Sequence, residues 1–489
     1  MTIRPASGGP ASAGPASGGP GSGGPGSGGP VRPRRGPLLV VALVVLLAIG
    51  IGIRVMSGPD RVGPTPDPIG TPGPPRTDAL AVQIPLNPAE LSGPQLDQAL
   101  DQAVRAGATE IAAGATWWFV TANKAPDRYD WTAVDRLVDG ARSRNLQVRL
   151  QLSGTPDAVH PDLDAPETDR IWYPPRTGAE LDAWAGFVRD TVEHFRGRVE
   201  SYEMWNEPNI ADFWKPAPDP AEYARLLQRG YTAAKQADAD AQVVFGGLSH
   251  NDVGYLQAYY KAAGPDAARH SWWFDTLDVH PYTDGRSPDD TSPDTTKLGR
   301  YGLIDNSFAG LRLMKAAMDR QEGDTGKRIV IGEYGFTTTG TDTAAPVDDR
   351  RRAYFLKRAF AIAEKLSFVD GISWYGFYPD SSNDPGWAIA TPGSYGSWTL
   401  QALRDVGAGT TATVTLPADP RPGTEIRPAV RGTVEHVELW VDGNLTAQAD
   451  GPAVAWPAGN VDGGRVQVVA YTADHHAWPS PVVKVTSGG

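Results

Sequence analysis

The chain has 489 residues, a formal net charge of −12, 21% charged and 40% hydrophobic residues, and no cysteine. The length predicts two to three folded units of globular composition. The lack of cysteine excludes disulfides, cysteine nucleophiles and thiolate metal sites, and with no long Lys/Arg run in the folded part there is no electrostatic footprint for nucleic acid.

Residues 1–36 open with repeats of Pro-Ala-Ser-Gly-Gly and Pro-Gly-Ser-Gly-Gly. Such a segment buries too little apolar surface to offset its conformational entropy, so it reads as a disordered cytoplasmic tail. Residues 38–53 are 16 consecutive Leu, Val, Ala, Ile or Gly, just short of the ~17–25 usual for a spanning helix. Pro37, Val55 and Met56 extend the run and Arg54 can snorkel, which predicts one transmembrane signal anchor over 37–56. Arg32, Arg34 and Arg35 precede it and only Arg54 follows closely, so the N-terminus is expected in the cytoplasm and the remainder outside. Cleavage as a signal peptide, giving a secreted protein, is the rival reading. No convincing small-x-small site follows, and the preceding tail is long. Residues 57–77, with Pro64, Pro66, Pro68, Pro72, Pro74 and Pro75, form a semi-rigid linker.

Over 78–406, strand-like and helix-like stretches alternate. The short apolar runs are 80–84, 110–113, 146–152, 199–205, 242–246, 276–280, 328–332 and 371–377. Thr177 with Glu180 fits a capping box for a helix to Phe195, and Asp219-Pro220 with Glu222 fits the start of another. After Trp131, Val134, Leu137, Val138 and Ala141 share one helical face. Eight strands separated by helices predict an α/β fold, a (β/α)8 TIM barrel. A doubly wound sheet would want a Gly-x-Gly-x-x-Gly turn after the first strand, and there is none. Residues 407–489 change to β-rich texture, with an Asp442-Gly443 turn between apolar runs, and predict a separate all-β sandwich.

A barrel of this kind carries its chemistry where strands end on the C-terminal face. Strand four ends in Trp205-Asn206-Glu207-Pro208-Asn209 and strand seven in Gly332-Glu333-Tyr334-Gly335. A carboxyl at each of two non-adjacent strand ends is what glycosidic cleavage needs: one proton donor, and one nucleophile or base. No metal or cofactor site stands out, because the eight His lack ligand-like spacing.

These two motifs resemble glycoside hydrolase clan A, most closely family 39 with its β-xylosidases and exopolysaccharide endoglycosidases, with family 5 cellulase-like enzymes as neighbours. The similarity runs through most of 78–406, including Tyr129-Asp130-Trp131 and 243–248. It implies Glu207 as acid/base and Glu333 as nucleophile, in a retaining double displacement on β-glycosidic bonds of a polysaccharide or oligosaccharide. It further implies that Asn206 binds the sugar 2-hydroxyl, that Tyr282 orients Glu333, that His280 lines the pocket, and that Trp374 floors the sugar site. Trp117 and Trp118 could flank further subsites or serve equally in packing, and Trp205 is expected to fill the barrel interior beneath the pocket. Many clan members carry a strand-two Arg beside the nucleophile; here the stretch is Glu110-Ile111-Ala112-Ala113-Gly114, so Glu333 must be supported otherwise. Residues 437–443 look like bacterial immunoglobulin-like modules. That domain would bind glycan through Trp440, Trp456 or Trp478, or act as a spacer or packing unit, and His475-His476 is expected to be solvated. Two further readings share these residues: a catalytically silent glycan-binding surface protein, and a transglycosylase.

Overall fold

The computed structural model describes residues 80–84, 87–121, 125–321, 326–341, 344–379, 385–390, 397–410, 414, 423–457 and 463–485. The expected tail, the anchor over 37–56 and the linker lie outside the described residues. Among those described, no helix is long and apolar enough to cross a membrane.

Eight parallel strands close into a barrel: β1 (Leu80–Gln83), β2 (Glu110–Gly114), β3 (Gln147–Leu152), β4 (Ser201–Asn206), β5 (Gln242–Ser249), β6 (Thr276–His280), β7 (Ile329–Tyr334) and β8 (Val369–Trp374). Each strand pairs with its sequence neighbour, and β8 pairs back onto β1. All eight coincide with apolar runs expected from sequence. The last starts two residues early and stops at Trp374, where the chain turns away to line the site.

The helix starts follow their caps. Thr177 and Glu180 make the reciprocal capping box of the helix Gly178–Phe195. The Asp219 carboxylate accepts from the Ala221 and Glu222 amides at the start of Pro220–Ala237. In Thr132–Arg142, the four residues of the expected apolar face are the buried ones. Each cap satisfies backbone donors that the first helical turn leaves open.

The barrel interior departs from the usual layers of Val, Ile and Leu. On β3, Val148, Leu150 and Leu152 are buried in the apolar core, while Arg149 and Gln151 reach polar partners inside the barrel. Glu203 on β4 and Asp278 and His280 on β6 complete a buried polar column. Charges in such a setting are tolerated only when paired and hydrogen-bonded.

The C-terminal region is all-β. Its main sheet holds β9 (Val434–Val441), β10 (Asn444–Asp450), β11 (Arg465–Thr472), β12 (Ala477–Pro479) and β13 (Val483–Lys484), in the order β10-β9-β11-β12 with β13 also on β11. A two-stranded ribbon, Glu425–Ile426 with Val454–Ala455, accompanies it. Among the described residues the expected immunoglobulin-like sandwich is thus one five-stranded sheet plus this ribbon. Strand alternation gives the sheet two apolar faces. Val437, Leu439, Val466 and Val468 pack in a local core, whereas Trp440, Val469, Tyr471 and Ala477 join the core of the barrel.

Of the two readings of this region, glycan binding is corrected and packing against the barrel is what the sheet does. Trp440, Trp456 and Trp478 are all buried and offer no sugar platform. Trp440 instead packs on Tyr354 and Phe355 of the barrel helix Asp349–Ala363. His475 and His476 are partly exposed, and His476 also pairs with Asp405 at 2.9 Å and stacks on Trp478. The place of Trp440 and the Asp405 pairing of His476 follow from docking this sheet on the barrel, whereas Trp456 and Trp478 fill the local core.

Candidate active site

Glu207 leaves β4 through strained backbone. Trp205 has φ 80° and Glu207 has φ 40°, conformations costing non-glycine residues about 1–3 kcal/mol each. The effect is to break strand alternation. Met204 and Trp205 both face the helical layer, Trp205 against Trp184 and Trp214, while Asn206 and Glu207 both reach the cleft. Trp205 therefore does not fill the barrel interior as expected from sequence; the turned backbone exchanges its position for the two polar residues that follow. The Asn206 Oδ1 accepts from Gln151 Nε2 at 3.1 Å, which fixes its amide.

Glu333 ends β7 with both carboxylate oxygens held. Gln83 Nε2 donates to Oε1 at 3.0 Å and the Tyr282 hydroxyl donates to Oε2 at 3.0 Å. Burial, joined by repulsion from Glu207, raises this carboxyl above its ordinary value; His280, Gln83 and Tyr282 act against that and favour the carboxylate. The expected result of Tyr282→Phe is therefore a kcat lowered by roughly tenfold or more. Its acid limb should move to higher pH, since removing a donor to the carboxylate raises the Glu333 pKa. A pH–rate profile measures both.

His280 lies between the two acids. Its Nδ1 is 3.0 Å from Glu207 Oε1 and 3.5 Å from Glu333 Oε2. Burial alone would depress the imidazole, but Glu333, Glu207 and Asp278 outweigh it and raise it to about 10, so His280 is an imidazolium at neutral pH. It approaches β5 so closely that a Cβ on Gly247 would overlap the ring, which requires glycine there. Glu207, His280 and Glu333 each bring an oxygen or nitrogen within 4.8 Å of the others. The nearest oxygens of the two carboxyls are thus no more than 4.8 Å apart, an approach of the kind that a direct attack by one carboxylate on the bond protonated by the other requires.

Beneath the pair, Arg149 of β3 is the cation at the centre of the polar column. Its guanidinium is 2.7 Å from Asp278 Oδ2 and 3.3 Å from Glu110 Oε1. Asp278 also accepts from the Gly332 amide, one residue before Glu333, at 2.6 Å. The cation thus acts on β7 through Asp278 rather than by touching Glu333. Glu203 accepts from the Gly247 amide at 3.0 Å. Burial, aided by Asp278 and opposed by Arg149, pushes it up to about 8. Glu203, Asp278 and His280 also lie within 4.8 Å of one another, as do the three groups of the catalytic cluster. In the deeper triad, Asp278 is already bound by Arg149 and by the Gly332 amide.

Of the residues expected from sequence, Glu207, Glu333, Asn206 and Tyr282 line one cleft of about 480 Å³, and His280 sits just beneath it. Trp374 is fully buried against Tyr334 and Phe336 and does not line the cleft; Tyr375 and Trp387 do. Trp117 is likewise a packing residue, stacked on Phe187 with its indole N–H on the Pro126 carbonyl, so of its two readings packing holds and the subsite does not. Trp118 is 48% exposed and lies outside the cleft lining. Sequence reasoning missed Gln83, Arg149 and Gln151, polar positions whose alternation with apolar neighbours does not say which face of the strand turns inward. It also missed Trp172, Phe213 and the pair His250–Asp284, which come from loops with no motif.

No model of a known family matches the sequence. A β-xylosidase of Geobacillus stearothermophilus is 29% identical over 126 residues, covering 24% of this chain and 24% of that protein, so the match spans about a quarter of the relative's length. Among solved structures, a family 39 glycoside hydrolase of Bacteroides cellulosilyticus aligns with TM-score 0.53 at 16% identity, over 78% of this chain and 79% of its own. A family 39 β-xylosidase of Caulobacter crescentus gives 0.51 at 18% identity, over 82% and 78%. The chain resembles family 39 of clan A. At these identities the structural likeness is one of fold. The barrel carries Glu207 and Glu333 at the ends of strands four and seven, the positions of the two sequence motifs.

Proposed function

We propose that the protein is a retaining glycoside hydrolase acting on β-glycosidic bonds of a polysaccharide or oligosaccharide. The observation that carries this reading is the spacing of Glu207 and Glu333, whose oxygens approach within 4.8 Å across one cleft. In the first step Glu207 donates its proton to the leaving oxygen while a Glu333 oxygen bonds the anomeric carbon. In the second, Glu207 takes a proton from water as that water displaces Glu333. Asn206 is placed to bind the 2-hydroxyl, with its amide held by Gln151.

Aromatic rings flank the pair: Trp172 and Phe213 on one side, 4.8 Å apart between centroids, and Tyr375 and Trp387 on the other, 5.1 Å apart. They come from loops beyond β3 and β4 and beyond β8, on opposing parts of the ring, which suits sugar stacking on both sides of the scissile bond. The apolar run over 38–53 supports a location outside the cytoplasmic membrane, anchored by one N-terminal helix.

A panel of aryl β-glycosides and purified β-linked polysaccharides, with sizing of the products, tests the proposal. Turnover of at least one member is expected. Binding of glycans with no turnover of any member would favour the silent glycan-binding alternative.

A further inference from the structure

The loop after β6 carries Asp284 and Gly285 to the cleft wall. Asp284 holds φ 53° and pairs through Oδ1 with His250 Nε2 at 3.0 Å, while Oδ2 accepts from Asn306 Nδ2 at 2.8 Å. The span is neither strand nor helix; within it the Arg286 amide donates to the Thr283 carbonyl at 3.0 Å and the Arg286 guanidinium to the Asn306 carbonyl at 2.9 Å, so its near end is tied to the barrel loops. Its far end, however, is buried under the C-terminal sheet. The Asp289 carboxylate makes two hydrogen bonds of 2.7 Å with Arg358 of the helix Asp349–Ala363. The Asp289 carbonyl accepts from Arg465 Nη2 at 2.7 Å, across 176 residues of sequence.

The turn between β9 and β10 presses on the same point. Gly443, at φ 80°, lies so close that a Cβ there would meet the Asp290 nitrogen at 2.5 Å and the Asp289 carbonyl carbon at 2.7 Å. Turn and arginine form one unit, since the Asp442 carboxylate accepts from the Arg465 amide at 3.0 Å and the Asp442 amide donates to the Arg465 carbonyl at 2.9 Å.

We propose that the C-terminal β-region positions the substrate cleft: Arg465 and the Asp442-Gly443 turn clamp residues 289–290 and so hold Asp284 against the bound sugar. Arg465 is a positioning residue and touches no reacting atom. The part of the inference that concerns sugar rests on the hydrolase reading; the clamp itself does not. A neutral carbonyl accepting from a guanidinium is the main contact to lose, and the cleft wall is what it supports. The effect therefore belongs to binding rather than to the chemical step.

The test compares full-length wild type with Arg465→Met, Arg465→Lys and Gly443→Ala. Arg351→Met serves as control, because it breaks the 2.9 Å ion pair with Glu438 in the same interface without touching the loop. Hydrogen exchange in peptides spanning 283–290 should quicken by about 3- to 10-fold in Arg465→Met and in Gly443→Ala. Arg465→Lys should largely restore protection, and Arg351→Met should leave these peptides unchanged. On an active glycoside, KM of Arg465→Met should rise over the same range with kcat nearly constant. Unchanged exchange at 283–290 in both Arg465→Met and Gly443→Ala would overturn the clamp, as would equal quickening in Arg351→Met. If wild type turns over no glycoside, the hydrolase reading fails while the exchange data still decide the clamp.

Discussion

Glu333→Gln is expected to lower kcat by ~10⁴-fold or more, the scale on which removal of an enzymic nucleophile is felt. The amide has the shape of the carboxylate, and one of its atoms remains an oxygen able to accept from Gln83 or Tyr282, so the fold should persist. What it lacks is the charge and the lone pair that bond the anomeric carbon. The interior around it is also relieved of one buried anion, so stability should not fall with activity. Steady-state kinetics together with thermal unfolding separates these quantities. Near-wild-type turnover in a folded Glu333→Gln protein would sink the assignment of the nucleophile.

Glu207→Ala tests the other half of the pair and should behave differently according to the leaving group. For a poor leaving group the lost proton donor is expected to lower kcat by about 10²–10⁴-fold. An aryl leaving group of low pKa needs little protonation, so its first step survives. The glycosyl-enzyme then waits for a water that has lost its base. A small anion such as azide needs no base and should accelerate that second step, giving the glycosyl azide of β configuration. Rescue with the α product would exchange the roles of the two acids, because it would mean direct attack on the substrate opposite the aglycone.

Much of this site is legible in the chain. Glu207 and Glu333 announce themselves because each closes a largely apolar run at a strand end, and the capping residues Thr177 and Asp219 fix where helices begin. The polar column is visible only in hindsight. In Gln147-Val148-Arg149-Leu150-Gln151-Leu152 the alternation reads as a half-buried strand with its polar side toward water. In the barrel the apolar side packs in the hydrophobic core and the polar side turns inward, to Asp278 and Asn206. Local pattern gives the period but not which face is inside. The reversal at Trp205 was hidden for a similar reason, since positive φ at a bulky residue is imposed by tertiary packing and has no propensity signal. Trp374 shows the opposite error: large aromatics near a sugar site are most often core. Contacts as distant as Arg465 with Asp289 carry no local mark at all.

The central claim is double displacement with net retention by Glu333 and Glu207. Proton NMR of the anomeric signals during the first minutes of hydrolysis of an active β-glycoside tests it most directly, before mutarotation mixes the products. The carboxyl spacing predicts that the reducing sugar appears first as the β-anomer and only later equilibrates. Initial release of the α-anomer would mean a single inverting displacement by water, and would contradict the account.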